Sequence, residues 1–96
     1  MKVYIIGSVT KSATNIKLAA NKFESLSNEV RYVTKKDNVP LETLIHDCYL
    51  HIETWADLIV VVPKSITNGV VDIGAGTMYE IEHARSFGKP VVIYRE

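Results

Sequence analysis

The run Leu58-Ile59-Val60-Val61-Val62, closed by Pro63, restricts this chain more than any other stretch. Five consecutive apolar residues leave no face for water, so a strand made from them has to be covered on both sides. Such a strand belongs at the centre of a parallel sheet with helices above and below it.

The rest of the chain supplies the matching parts. Lys2 to Ile6 is a second mostly apolar strand, ended by Gly7-Ser8. From Ser12 to Leu26 the apolar positions Ile16, Ala19, Ala20, Phe23 and Leu26 recur at intervals of three and four, which predicts an amphipathic helix. Glu29 to Val33 reads as a short strand and Thr34 to Asn38 as a polar loop. Pro40 suits the first turn of a helix, and Leu41, Leu44, Ile45, Cys48, Ile52 and Trp55 continue a helical stripe to about residue 55. After Pro63 a loop runs from Lys64 to about Ala75, long for so short a chain, and loops of that length in compact domains are often functional. A third helix follows with Met78, Ile81 and Ala84 turned inward, stops at Gly88, and leads to a last strand from Lys89 to Tyr94.

Strands alternating with helices predict an α/β fold: a flavodoxin-like doubly wound sheet of four parallel strands, order 2-1-3-4, with right-handed crossovers and helices on both faces. Its 96 residues suffice for a single domain spanning 1–96. In such sheets ligands bind beyond the carboxyl ends of the strands, where the strand order reverses. The Gly7-Ser8 turn and the loop from Lys64 to Gly76 both leave those ends and should meet in one crevice.

Composition narrows the function classes. Eleven basic and eleven acidic residues cancel, and no basic block extends beyond Lys35-Lys36, so a nucleic-acid polymer is not an expected partner. No uninterrupted apolar run reaches membrane-spanning length, and no charged leader precedes the strand at residue 2, so neither a membrane partner nor a signal peptide is expected. Cys48 is the only cysteine, which excludes an intramolecular disulfide and suits a reducing cytoplasm. At roughly 100° per helical residue, His46, Cys48 and His51 point in three directions, so no metal site is expected there.

Chemistry concentrates in residues 72–88, "DIGAGTMYEIEHARSFG". Gly74 and Gly76 allow backbone N–H groups close to a ligand, and the helix start beyond them adds unpaired donors. Glu80, expected in the first turn of that helix, has two readings. Thr77-Met78-Tyr79-Glu80 fits a capping box, with Thr77 capping the helix and Glu80 reaching back to it. Alternatively, the carboxylate faces the crevice and acts there. Common nucleotide motifs do not fit. Gly7-Ser8-Val9-Thr10-Lys11-Ser12 lacks the second glycine of a phosphate loop, a dinucleotide fingerprint would need glycine where Tyr79 stands, and Asp57 begins the third strand, whereas a receiver's phosphoacceptor ends it.

Three segments, "VYIIGS" (Val3 to Ser8), "ADLIVVV" (Ala56 to Val62) and "GAGTMYEIEHARSFGKPVVI" (Gly74 to Ile93), resemble the nucleoside 2-deoxyribosyltransferases and the related 2'-deoxynucleoside 5'-phosphate N-hydrolases. The last is the most specific, through its order G-x-x-x-E-x-x-x-A-x-x-x-G-K-P. The resemblance implies a transferase or hydrolase of nucleotide metabolism that needs no cofactor. In it Glu80 attacks the anomeric carbon, expels the base and leaves a glycosyl ester, which water or a second base resolves. It further implies that Asp57 handles protons near the base and that Tyr4 orients the nucleophile. Gly7, Ser8, Val9, Asp72, Gly74, Gly76 and Thr77 are the implied substrate contacts. The competing readings are a backbone-bonded residue at the start of a strand for Asp57, a core aromatic for Tyr4 and a plain strand-to-helix turn for Ser8. Lys11 and Lys64 are set aside as surface lysines.

The chain departs from the family in two ways. Gly74 stands where the family has Asp or Ser, with Asp72 two residues earlier as the substitute if the loop bends differently. Family members also continue past the fourth strand with a segment that closes a neighbouring subunit's site, whereas this sequence runs to Glu96. The expected partner is a small nucleoside or nucleotide, and a homodimer is expected to cover the sheet edges and crevice. The alternative function is a non-catalytic binder of a nucleotide or nucleotide signal on the same fold. A structural subunit with an empty crevice is a third possibility.

Overall fold

The computed structural model describes residues 1–9, 11–33 and 40–95, so the stretch expected as a loop at 34–38 lies outside the described residues. At its centre β1 (Lys2–Gly7) and β3 (Leu58–Val62) pair in parallel over five rungs, from Val3 opposite Leu58 to Gly7 opposite Val62. β2 (Glu29–Tyr32) flanks β1, and a short strand near the carboxyl end, Val91–Ile93, flanks β3. The sheet is doubly wound, flavodoxin-like, with its four parallel strands in the expected order.

Alternation along the central strands sorts the core into two layers. Val3, Ile5, Val60 and Val62 pack against Ile16, Ala19 and Ala20 of α1 (Ala13–Ser25) on one face. On the other, Tyr4, Ile6, Ile59 and Val61 meet Cys48 and Ile52 of α2 (Leu41–Thr54) and Ile81 and Ala84 of α3 (Ala75–Ser86). One helix on one face and two on the other is what right-handed crossovers require when the chain first moves left from β1 and then right to β3. The reversal falls between β1 and β3. Three apolar positions expected inward are exposed instead: Leu26 beyond the last turn of α1, Ile45 on α2 and Met78 on α3.

The long connection after Pro63 is not an irregular loop. It holds a hairpin of β4 (Ser65–Thr67) and β5 (Val70–Asp72), leaving Val91–Ile93 as β6. Asn68 and Gly69 both take positive φ, 51° and 80°, the two-residue turn whose twist suits antiparallel strands. The Lys64 N–H donates to the Asp72 carbonyl at 2.8 Å and closes the base of the hairpin. Gly74 is thereby brought back beside Lys64.

Two contacts fix the strand ends at the reversal. Ser12 begins α1 without a side-chain cap; its buried hydroxyl donates instead to the Pro63 carbonyl at 3.1 Å, tying the start of α1 to the end of β3. Gly7 lies so close to β3 that a Cβ there would stand 2.8 Å from the Val62 carbonyl oxygen. Gly7→Ala is therefore expected to force the central strands apart and lower the unfolding free energy by about 1–3 kcal/mol, measured by denaturant titration; an unchanged midpoint would show that the strands have slack at this rung.

Candidate functional site

A cleft of about 360 Å³ opens at the reversal point, within the size range of small-molecule sites (~300–1,000 Å³). Gly7, Ser8 and Val9 form its floor at the end of β1. Lys64 comes from the end of β3 at the hairpin entry, and Gly74, Gly76 and Thr77 from the hairpin exit and the start of α3. Leu44, Ile45, Cys48 and Tyr49 of α2 make an apolar wall, and Glu80 and Tyr79 complete the lining. The two segments expected to converge do so.

Glu80 lines this cleft and does not serve as a cap. α3 begins at Ala75 with Gly74 as its N-cap, so Thr77 lies inside the first turn, Glu80 falls in the second turn, and no side-chain capping bond forms. The capping-box reading and the first-turn placement are both corrected. Glu80 Oε2 is buried and, among the described residues, has no hydrogen-bond partner. Burial raises the carboxyl from its ordinary 4.5 to about 7. A carboxylate left without donors is poorly solvated, and that is a reactive state for an oxygen nucleophile.

The glycines contribute space. Neither Gly74 nor Gly76 is among the residues with positive φ, and Gly74 is extended (φ −64°, ψ 152°). A Cβ on Gly74 would lie 3.0 Å from Lys64 Cε and 3.4 Å from Lys64 Nζ, so the flexible lysine end packs closely on the start of α3 and would have to give slightly to admit a side chain there. Sequence reasoning sets Lys64 aside as a surface lysine; the Asn68-Gly69 turn is the signal that the chain folds back and brings Gly74 beside it.

Three implied site residues are not in the cleft. Asp57 is exposed at the amino end of β3, where its Oδ2 accepts the Lys2 N–H at 3.0 Å and its own N–H donates to the Lys2 carbonyl at 2.8 Å. A five-residue strand separates it from the cleft, roughly 16 Å of rise, which excludes direct proton handling there. Tyr4 is buried in the core; its hydroxyl donates to Cys48 Sγ at 3.2 Å and its ring stacks on His51, with centroids 5.0 Å apart. It does not orient Glu80 by a hydrogen bond, although burial and the Cys48 contact push its ionisation far up. Asp72 ends β5 with an exposed side chain that is not part of the lining, so it does not stand in for the family residue.

Ser8 is half-buried, its Oγ accepting the Lys11 N–H at 3.2 Å and its carbonyl accepting the Ser12 N–H at 2.8 Å, so it shapes the turn while facing the cleft. Cys48 and Tyr49 were missed. Helical periodicity places Cys48 inward but does not reveal that the inward face of α2 runs off the core into a cleft. Burial raises the Cys48 thiol to about 11, so it contributes an uncharged surface.

Because the folded pKa of Glu80 lies above its unfolded value, folding favours the neutral form. That contribution is fully present below pH 4.5 and is lost as pH rises through 7. Glu80→Gln should therefore be more stable than the parent protein at pH 8, by on the order of 3 kcal/mol, with the difference vanishing below pH 4.5; urea unfolding at the two pH values measures it, and a pH-independent difference would contradict the buried carboxyl. No family model matches this chain, and no curated protein matches it.

Proposed function

We propose that the protein cleaves or exchanges the N-glycosidic bond of a small (deoxy)nucleoside or its 5'-monophosphate, with Glu80 as nucleophile. One observation carries the reading: Glu80, its carboxyl without a hydrogen-bond donor among the described residues and one oxygen buried, lines a nucleotide-sized cleft at the carboxyl ends of the strands. The three segments resembling the deoxyribosyltransferases and N-hydrolases add to it.

The chemistry follows from the environment. As the C1'–N bond breaks, its electron pair leaves with the base, which takes a proton from water, and a Glu80 oxygen bonds to C1' to give a glycosyl ester. Water or a second base then attacks C1' from the face the first base left, and the carboxylate is regenerated. The poorly solvated carboxylate gains more by neutralising an oxocarbenium-like centre than an exposed one would. Asp57 has no part in this sequence, and the leaving base draws its proton from solvent. Lys64 and the start of α3 suit the oxygens of a 5'-hydroxyl or 5'-phosphate. Exposed apolar groups at the mouth, Ile45 and Tyr79, suit cover by a second copy of the chain. Among the described residues no helix is long and apolar enough to cross a membrane, and a cytoplasmic homodimer acting on small nucleotides is the setting this reading implies.

Incubation with deoxynucleosides and their 5'-monophosphates, with free base followed by chromatography, is expected to show release that Glu80→Ala lowers by several orders of magnitude. Nucleotide binding without release over hours would replace the enzyme with a binding protein of the same fold. Asp57→Asn should retain turnover, and loss of turnover without loss of folding would restore that residue to the mechanism. The rate kcat/KM should rise with pH and level off above an apparent pKa near 7, because only ionised Glu80 attacks; a flat profile from pH 5 to 8 would remove Glu80 as the titrating nucleophile.

A further inference from the structure

Tyr49 and Glu53, four residues apart, share one face of α2, and Glu80 and His83, three apart, share one face of α3. His83 fits between the two α2 residues. Its ring lies flat on Tyr49, with centroids 4.1 Å apart and planes 10° from parallel, and its Nε2 donates to Glu53 Oε1 at 2.7 Å. Phe87, one turn further along α3, tilts against the same imidazole at 5.0 Å. The two helices are therefore latched about one turn away from the cleft carboxylate.

Tyr49 is held by this latch and also lines the cleft. Its neighbours in the lining on that side, Val33, Leu44, Ile45 and Cys48, carry no charge, and the Cys48 sulfur accepts the Tyr4 hydroxyl. The charged groups among the described lining residues, Lys64 and Glu80, come from the end of β3 and α3 instead. The ligand that matches is flat and weakly polar at one end and charged or hydroxyl-bearing at the other. We infer that Tyr49 is the surface on which the planar leaving base packs, and that His83, braced by Glu53, is a positioning residue that keeps this surface in register with Glu80. The inference rests on the glycosidic reading for its substrate and on the observed latch for its geometry.

The register argument is specific. A base that packs on Tyr49 is placed relative to α3 by contacts made one turn from Glu80, so movement of the ring moves the anomeric carbon away from the carboxylate. Stacking of a base on an aromatic ring is large enough that removing the ring should cost roughly tenfold in affinity. Losing the His83 stack should have a smaller effect in the same direction.

The test compares Tyr49→Leu, Tyr49→Phe, His83→Phe and His83→Gln in two assays: base release from deoxynucleoside 5'-monophosphates, and NMR titration with free adenine and free thymine. Tyr49→Leu is expected to raise KM about tenfold, with a much smaller change in kcat, and Tyr49→Phe to recover most of that loss. His83→Phe keeps a ring against Tyr49 and should disturb KM less than His83→Gln, which keeps only a polar group near Glu53. The nucleobase protons should move upfield on binding to the parent protein and not to Tyr49→Leu. If base is released and KM is the same in Tyr49→Leu, the packing role is overturned while the glycosidic reading stands. If no base is released, that reading falls, and the titration still decides: ring-current shifts lost in Tyr49→Leu support the aromatic platform, and their absence in the parent protein overturns it.

Discussion

The five-rung pairing of β1 with β3 is the constraint on which the remaining structure depends. Both strands are apolar on both faces, so helices have to cover both, and burial of these side chains is the main favourable term available to a chain of this size. The pairing also places the point where strand order reverses directly above Gly7 and Val62. The strands approach so closely there that only glycine fits, and the Ser12 hydroxyl ties the start of α1 to the end of β3. The cleft lies beyond this join because the helices on either side of a reversal diverge and cannot fill the space between them.

Burying a carboxyl beside that join opposes stability. Glu80 Oε2 loses its water and gains no donor among the described residues, and the proton it then retains to near neutrality expresses that cost. The hydrophobic layers beneath, with Ile81 and Ala84 on the same helix fully in the core, hold α3 in place against it. Strain of this kind survives where the surrounding packing over-determines a position, and such positions are commonly functional. One turn along the same face of α3, the His83 latch to Tyr49 and Glu53 joins the two helices that border the cleft and helps set its width.

Much of the fold was readable because periodicity reports burial directly. The two central strands, the phase of α1 at Ile16, Ala19 and Ala20, and the inward positions Cys48, Ile52, Ile81 and Ala84 all follow from it. The misses have identifiable causes. Leu26 and Met78 sit at or near helix ends, where an apolar residue keeps the period but has nothing to pack against. The hairpin was passed over because its strands are three residues each and mostly exposed, too short for alternation to show, although Asn68-Gly69 is a strong local turn signal. Asp57 is a different case: its place at the start of β3 puts it at the amino end of the parallel sheet, opposite the edge where ligands bind.

Local sequence alone determined the order of the helices and of the four parallel strands, the two-sided core and the presence of a carboxylate near a glycine-rich helix start, since each depends on residues close together in the chain. Tertiary structure decided which groups share the cleft. Gly74 and Gly76 arrive by way of the hairpin, which returns the chain to Lys64 at the end of β3, Cys48 and Tyr49 come from α2 packed beside the sheet, and the absence of Tyr4, Asp57 and Asp72 follows from strand polarity and side-chain direction. Whether Glu80 would cap its own helix or stand unpartnered in a crevice turned on a shift of the N-cap from Thr77 to Gly74. The alternatives differ by little in local energy, and long-range packing of α3 against the sheet selected between them.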